Sequence, residues 1–278
     1  MKKLLWTLLL PVLFWSAPAA AEAPPEVKAD AALLYDMDAH TILWEKEGQC
    51  PMAPASLIKV LNLLTASPYL AFDEEIAVGP LTETVYNGQL LGLKAGDVLR
   101  AKDLFYGMML YSANDAAVAV AEGLIGDIPL YADLMDAKAW ALGAVRTTSV
   151  NVNGYSDEDQ KTTAYDLAVL GTAYMDDERL APLAAARSHE LRWLSPEKTL
   201  TVNNINQFLN AYEGATGLKT GTTSMAGKCL IAAAEKNGKR LLAVALNSSD
   251  RYGDCIRMMN YGYREDGTLS AEISDDLE

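Results

Sequence analysis

Lys228-Cys229-Leu230-Ile231-Ala232-Ala233-Ala234-Glu235-Lys236-Asn237-Gly238-Lys239-Arg240-Leu241-Leu242-Ala243-Val244-Ala245-Leu246-Asn247 holds two apolar runs joined by Asn-Gly. Each run is too short and too evenly apolar for an amphipathic helix, and Asn-Gly suits the positive φ angles of a two-residue hairpin turn. Two strands, Lys228 to Ala234 and Leu241 to Asn247, therefore pair here, and Gly217 to Thr223 supplies a third just upstream.

The other end of the chain has the same character. Ala31-Ala32-Leu33-Leu34-Tyr35 and Thr41-Ile42-Leu43-Trp44 flank Asp36-Met37-Asp38-Ala39-His40, again a hairpin, with His40 as a turn residue. Between the two ends helices dominate. Leu57, Val60, Leu61 and Leu64 recur at helical spacing from Ser56 to about Ala66. Further helices are read over Lys102–Tyr111, Asp115–Ile125, Tyr131–Leu142 and Thr163–Met175, and a last one runs from about Tyr252 to Tyr261. Strands, helices, strands is the order of an α/β domain whose sheet draws on both ends of the chain, with the helical middle as a second lobe. No internal repeat is present.

Composition narrows the function. The 278 residues are 50% hydrophobic and 22% charged, and the net charge is −14. No basic run exists to neutralise a phosphate backbone, so nucleic-acid binding is disfavoured. Only His40 and His189 are available as imidazoles, and Cys50, Cys229 and Cys255 form no Cys-x-x-Cys pair, so no metal site and no cofactor are expected. The three cysteines read as small packing residues rather than a disulfide framework. Residues 1–21 have the order of a secretory leader: Lys2-Lys3, an apolar run from Leu4 to Trp15, and Ala19-Ala20-Ala21, with cleavage near Ala21-Glu22. Its loss removes two lysines and takes the net charge to −16. The mature protein is expected outside the cytoplasmic membrane. No later stretch spans a membrane, and the acidic end from Glu272 to Glu278 would be repelled by anionic lipid.

Three short motifs share one chemistry. In Pro54-Ala55-Ser56-Leu57-Ile58-Lys59, a hydroxyl and an amine lie one helical turn apart, with Ser56 at the helix N-terminus. Serine is a weak nucleophile that needs an adjacent base, and with His scarce Lys59 is the candidate, provided burial or nearby positive charge lowers its pKa. Taken alone, the pattern fits any capped helix. Ser112-Ala113-Asn114, between two helices, could equally be a cap for the second, through Ser112, Asn114 or Asp115. Lys219-Thr220-Gly221 lies in Thr216-Gly217-Leu218-Lys219-Thr220-Gly221-Thr222-Thr223, where strand glycines suggest close approach of a ligand or another backbone, or else a bulged edge.

Together and in this order, Ser-x-x-Lys, Ser-x-Asn and Lys-Thr-Gly are the pattern of the penicillin-recognising serine enzymes. With Gly92-Leu93-Lys94-Ala95-Gly96-Asp97, Asp115-Ala116-Ala117, Thr163-Ala164-Tyr165-Asp166-Leu167-Ala168 and Ala226-Gly227, the chain closely resembles the D-alanyl-D-alanine carboxypeptidases, the low-molecular-weight penicillin-binding proteins, over about residues 28–264. The resemblance implies an α/β (α+β) fold of the β-lactamase/DD-peptidase kind: an antiparallel sheet flanked by helices, with a helical lobe of about residues 66–198 inserted in a domain spanning 22–278. It implies a serine peptidase that removes the terminal D-alanine from peptidoglycan stem peptides ending in D-Ala-D-Ala, through an acyl-enzyme that β-lactams also form. By motif position Ser56 is the nucleophile, Lys59 its general base, and Ser112 the proton relay to the leaving amine. Asn114 holds the substrate amide. Lys219, Thr220, Gly221 and Thr222 bind the terminal D-alanine and its carboxylate, and the backbone N–H groups of Ser56 and Thr222 form the oxyanion hole.

The chain departs from the family at Ile58, where Thr is usual, at Asn151-Val152-Asn153-Gly154-Tyr155, and at Gln160-Lys161, where a His often stands. Where many members continue into a small β domain and an amphipathic membrane helix, this sequence has Arg264-Glu265-Asp266-Gly267 and an acidic tail. Two rival readings are a serine β-lactamase, for which the Glu-x-x-Leu-Asn water-positioning spacing is missing between Asn114 and Lys219, and a catalytically silent wall-binding relic, which should have lost at least one of the motif residues.

Overall fold

The protein is described here by a computed structural model covering residues 23–263; the leader and the acidic tail fall outside the described residues. In chain order the elements are β1 (Ala31–Asp36), β2 (Thr41–Lys46), a 3-10 turn (Ala55–Ile58), α1 (Lys59–Ala66), β3 (Glu75–Ala77), β4 (Val98–Arg100), α2 (Ala101–Leu110), α3 (Asn114–Ile125), α4 (Ile128–Leu142), α5 (Ala164–Asp176) and α6 (Ala181–Ala185). Then follow β5 (Ser188–Ser195), β6 (Lys198–Asn203), α7 (Phe208–Ala211), β7 (Ala215–Thr223), β8 (Gly227–Lys236), β9 (Lys239–Leu246) and α8 (Arg251–Tyr263).

The two hairpins meet in one antiparallel five-stranded sheet of order β2-β1-β9-β8-β7, with β1 pairing β9 across most of the chain length. The central strands β1, β9 and β8 are buried on both faces, which explains why they read as unbroken apolar runs. Cys229, Ile231, Ala233, Leu242, Val244, Leu33 and Tyr35 point into one core with α1, α2 and α5, while Leu230, Ala232, Ala234, Leu241, Ala243 and Leu34 point into another with α7 and α8. The assignment follows the two-residue alternation of a strand. His40 and Asn237, both at positive φ, sit in the two hairpin turns, as their sequence context implied.

Three expectations change. The helix read from Ser56 begins as a 3-10 turn, and its α-helical part starts only at Lys59. The middle of the chain is not all helix: β3, β4, β5 and β6 form a second antiparallel sheet, in which the Trp193 indole N–H donates to Asp97 Oδ2 at 2.8 Å. Among the cysteines, Cys229 and Cys255 are buried as expected, but Cys50 is exposed, because it lies in the turn after β2, its N–H bonded to the Glu47 carbonyl.

Candidate active site

Ser56, Asn114 and Lys219 come from the 3-10 turn, α3 and β7 and gather around Lys59 of α1, with Ser112 two residues before Asn114. The 3-10 turn carries Ser56, α1 opens with Lys59, Ser112 lies between α2 and α3 at a left-handed φ of 64°, and β7 carries Lys219. Lys59 is fully buried and its ammonium position has three oxygens in reach: Ser56 Oγ at 2.8 Å, Asn114 Oδ1 at 2.7 Å and the Asn153 carbonyl at 2.5 Å. Burial first, and then the Lys219 charge, hold the Lys59 amine well below the ordinary lysine value, with Asp115 pulling the other way. Lys219 is itself buried, its Nζ 3.0 Å from the Thr220 carbonyl.

The capping alternative for Ser112-Ala113-Asn114 does not hold. The N-cap of α3 is Ala113, with no side-chain cap bond. Instead the Asn114 amide splits its two ends: Oδ1 accepts from Lys59, and Nδ2 donates to the Asn87 carbonyl at 2.7 Å. Asp115 accepts the N–H groups of Leu91, Gly92 and Leu93, fastening the 87–93 loop beside Asn114. Ser112 is nearly enclosed, 7% exposed.

The strand glycine finds its reason in backbone contact. A Cβ on Gly221 would stand 3.0 Å from Ser56 N and 3.0 Å from Ala55 Cβ, so glycine lets β7 press against the 3-10 turn without pushing it away. β7 is an edge strand, with β8 as its one strand neighbour among the described residues, and its other side faces that turn. Thr220 is buried and Thr222 is exposed. Arg251, at the start of α8, reaches over to donate to Thr222 Oγ1 at 3.0 Å and to the Gly221 carbonyl at 3.3 Å.

Sequence reading did not single out Asn87 or Arg251, nor the carbonyl that reaches Lys59. The turn Asn151–Tyr155 delivers the Asn153 carbonyl to Lys59, and Gly154, at φ 88°, lies so close to Ala55 and Ser56 that an added Cβ would be 2.8 Å from Ser56 N. Asn151 Oδ1 accepts the Gly154 N–H, and the side-chain Oε1 of the buried Gln160 accepts the N–H groups of Val150 and Asn151, so both hold this turn. The Asn-x-Asn-Gly string was the available signal, but it reports a turn and not the destination of a carbonyl.

The profile of the D-alanyl-D-alanine carboxypeptidase family matches residues 18–250. The chain belongs to that family. It is thus a hydrolase of the peptidase class by membership. Among curated members it is similar to the D-alanyl-D-alanine carboxypeptidase DacF of Bacillus subtilis, 27% identical over 95% of this chain and 72% of that protein, and to DacC of Escherichia coli, 30% identical over 91% of this chain and 66% of that protein. The chain therefore spans about two thirds to three quarters of these carboxypeptidases. A solved carboxypeptidase structure from Mycobacterium tuberculosis superposes with a TM-score of 0.81 at 27% identity, covering 93% of this chain and all of the other. This family membership bears out the resemblance read from the three motifs, and the fold agrees with it.

Proposed function

We propose that this chain is a serine-type D-Ala-D-Ala carboxypeptidase that trims peptidoglycan stem peptides through an acyl-Ser56 intermediate and is acylated by penicillin. The observation that carries the reading is the buried Lys59 amine, 2.8 Å from Ser56 Oγ and held below its ordinary pKa. Such an amine gives up its proton more readily than an ordinary lysine, and in its neutral form it can take the serine proton.

Ser56 Oγ attacks the carbonyl between the two D-alanines while Lys59 takes its proton. Negative charge on the carbonyl oxygen is met by the backbone N–H groups of Ser56 and Thr222, one at the 3-10 turn and one on β7. The proton then passes through Ser112 to the leaving nitrogen, and D-alanine departs with the C–N bond broken. Water, with its proton taken by the same base, hydrolyses the ester and restores Ser56. Asn114 holds the substrate amide, and Lys219 with Thr220 and Thr222 receives the terminal carboxylate, a cationic pocket in an acidic protein. Gly221 lets that strand approach the serine. The unit spans residues 22–278, with the lobe of about 66–198 supplying Ser112 and Asn114.

A D-Ala-D-Ala substrate places the work outside the cytoplasmic membrane, after removal of residues 1–21. No helix among the described residues is long and apolar enough to cross a membrane. The test is D-alanine release from diacetyl-Lys-D-Ala-D-Ala alongside labelling with fluorescent penicillin. Release with a long-lived adduct supports the proposal. Rapid turnover of penicillin without D-alanine release supports a β-lactamase, and neither release nor adduct a silent relic.

A further inference from the structure

Asn62 is the one fully buried amide on α1, in a helix whose other residues from Val60 to Leu64 are apolar and buried. A buried amide in such surroundings is costly unless its donors and acceptors are met. They are met by atoms that lead to the active site. Asn62 Nδ2 donates to the Val152 carbonyl at 2.9 Å and the Ala117 carbonyl at 3.3 Å, and the hydroxyl of fully buried Tyr131 on α4 lies 3.0 Å from Asn62 Oδ1 and 3.1 Å from its carbonyl. Val152 directly precedes Asn153, whose carbonyl receives Lys59, and Gly154 next to it rests on the Ala55–Ser56 peptide.

We propose that Asn62, braced by Tyr131, is a positioning residue that fixes the 151–154 turn and thereby aims the lone pair of Lys59 at Ser56. This rests on Lys59 acting as the base. A neutral amine has two N–H bonds and one lone pair. Of its three neighbours, Asn114 Oδ1 and the Asn153 carbonyl can only accept, so they take both N–H bonds and leave the lone pair for the Ser56 hydroxyl. When the Asn153 carbonyl withdraws, the amine is free to turn and donate to Ser56 Oγ, an arrangement in which it cannot take the proton. Lys59 sits one turn before Asn62 on the same helix, so one helix face carries both the base and the group that orients it.

The groups facing Lys59 from other elements are Lys219 on β7 and Asp115 on α3, and both stay in place in the variants chosen. Asn62→Ala removes the clasp and opens room for water toward Nζ. Because burial is the leading cause of the lowered Lys59 pKa, the acid limb of the acylation profile should move to higher pH. At neutral pH penicillin acylation should fall about tenfold or more, mainly in its limiting rate rather than in its concentration dependence. Tyr131→Phe keeps the ring and removes one hydrogen-bonding hydroxyl, so a loss of about threefold in the same direction is expected. The double variant should be no slower than Asn62→Ala, because Tyr131 acts through Asn62. A lowered melting temperature with wild-type rate and pH profile in Asn62→Ala would reduce Asn62 to a packing role and overturn the proposal. If that variant does not fold, wild-type kinetics in Tyr131→Phe overturn it instead. Failure of the wild type to be acylated would remove the carboxypeptidase reading along with it, whereas normal acylation of wild type and variants alike sinks this inference only.

Discussion

β7 and β8 are neighbours in one sheet and are built to opposite ends. From Cys229 to Ala234 every residue of β8 is fully buried, alternating between the two cores. β7 has two glycines, a buried lysine and four threonines in nine residues, and lies at the sheet edge. At about 25 cal/mol per Å² of apolar surface, β8 holds the sheet together and β7 contributes little. What β7 offers instead is a backbone that touches the 3-10 turn through Gly221 and an ammonium that lowers the Lys59 pKa. The strand proposed to bind substrate is kept in place by the strand buried on both faces.

That contrast can be broken from the side of the chemistry. Lys59→Met keeps length and packing but not the amine, and should lower acylation about 10³-fold while the protein stays folded. The same residue gives a pH signature. Folded Lys59 loses its proton well below the roughly 10.4 of an unfolded lysine. Between the two values the unfolded chain binds the extra proton, so stability rises with pH across that window. Wild-type acylation should rise with pH through the folded value. Urea unfolding measured over this range should show Lys59→Met without that part of the rise; an identical slope in both proteins would mean Lys59 is not held neutral.

Lys219→Ala should slow acylation by about 10², the scale of removing one preorganised electrostatic group. Lys219→Arg, retaining charge without the compact ammonium, should recover part of it. Wild-type rates in Lys219→Ala with an unchanged melt would sink its proposed role. Leu230→Ala, on the β8 face turned toward α8, sharpens the comparison from the other side. It should cost about 2–5 kcal/mol of stability and leave acylation per folded molecule unchanged, as thermal melts and burst titration would report.

Much of this was legible because local rules and the fold agreed. Asn237-Gly238 specified the turn it forms, and Thr163 caps α5 with its Oγ accepting the Asp166 N–H at 3.0 Å. The second sheet was not legible. β3 and β4 have three residues each, too few to show a period, and in β5 only Leu191 and Trp193 are buried. Within the site, Ser56, Lys59, Asn114 and Lys219 could be picked out because the side chain itself makes the contact. The Asn153 carbonyl could not, since any residue supplies one. Asn62 was hidden for a different reason: within an apolar stripe it looked like an ordinary position of an amphipathic helix, and only the path of its hydrogen bonds ties it to Lys59.

The central claim is that Ser56, next to the buried Lys59, forms the covalent intermediate. Intact-mass analysis of the wild type and Ser56→Ala after penicillin treatment tests it most directly. The account predicts one penicilloyl adduct on the wild type, mapped by peptide digestion to Ser56, and none on Ser56→Ala. An adduct that persists in Ser56→Ala, or that maps to Ser112 or any other residue, would contradict it.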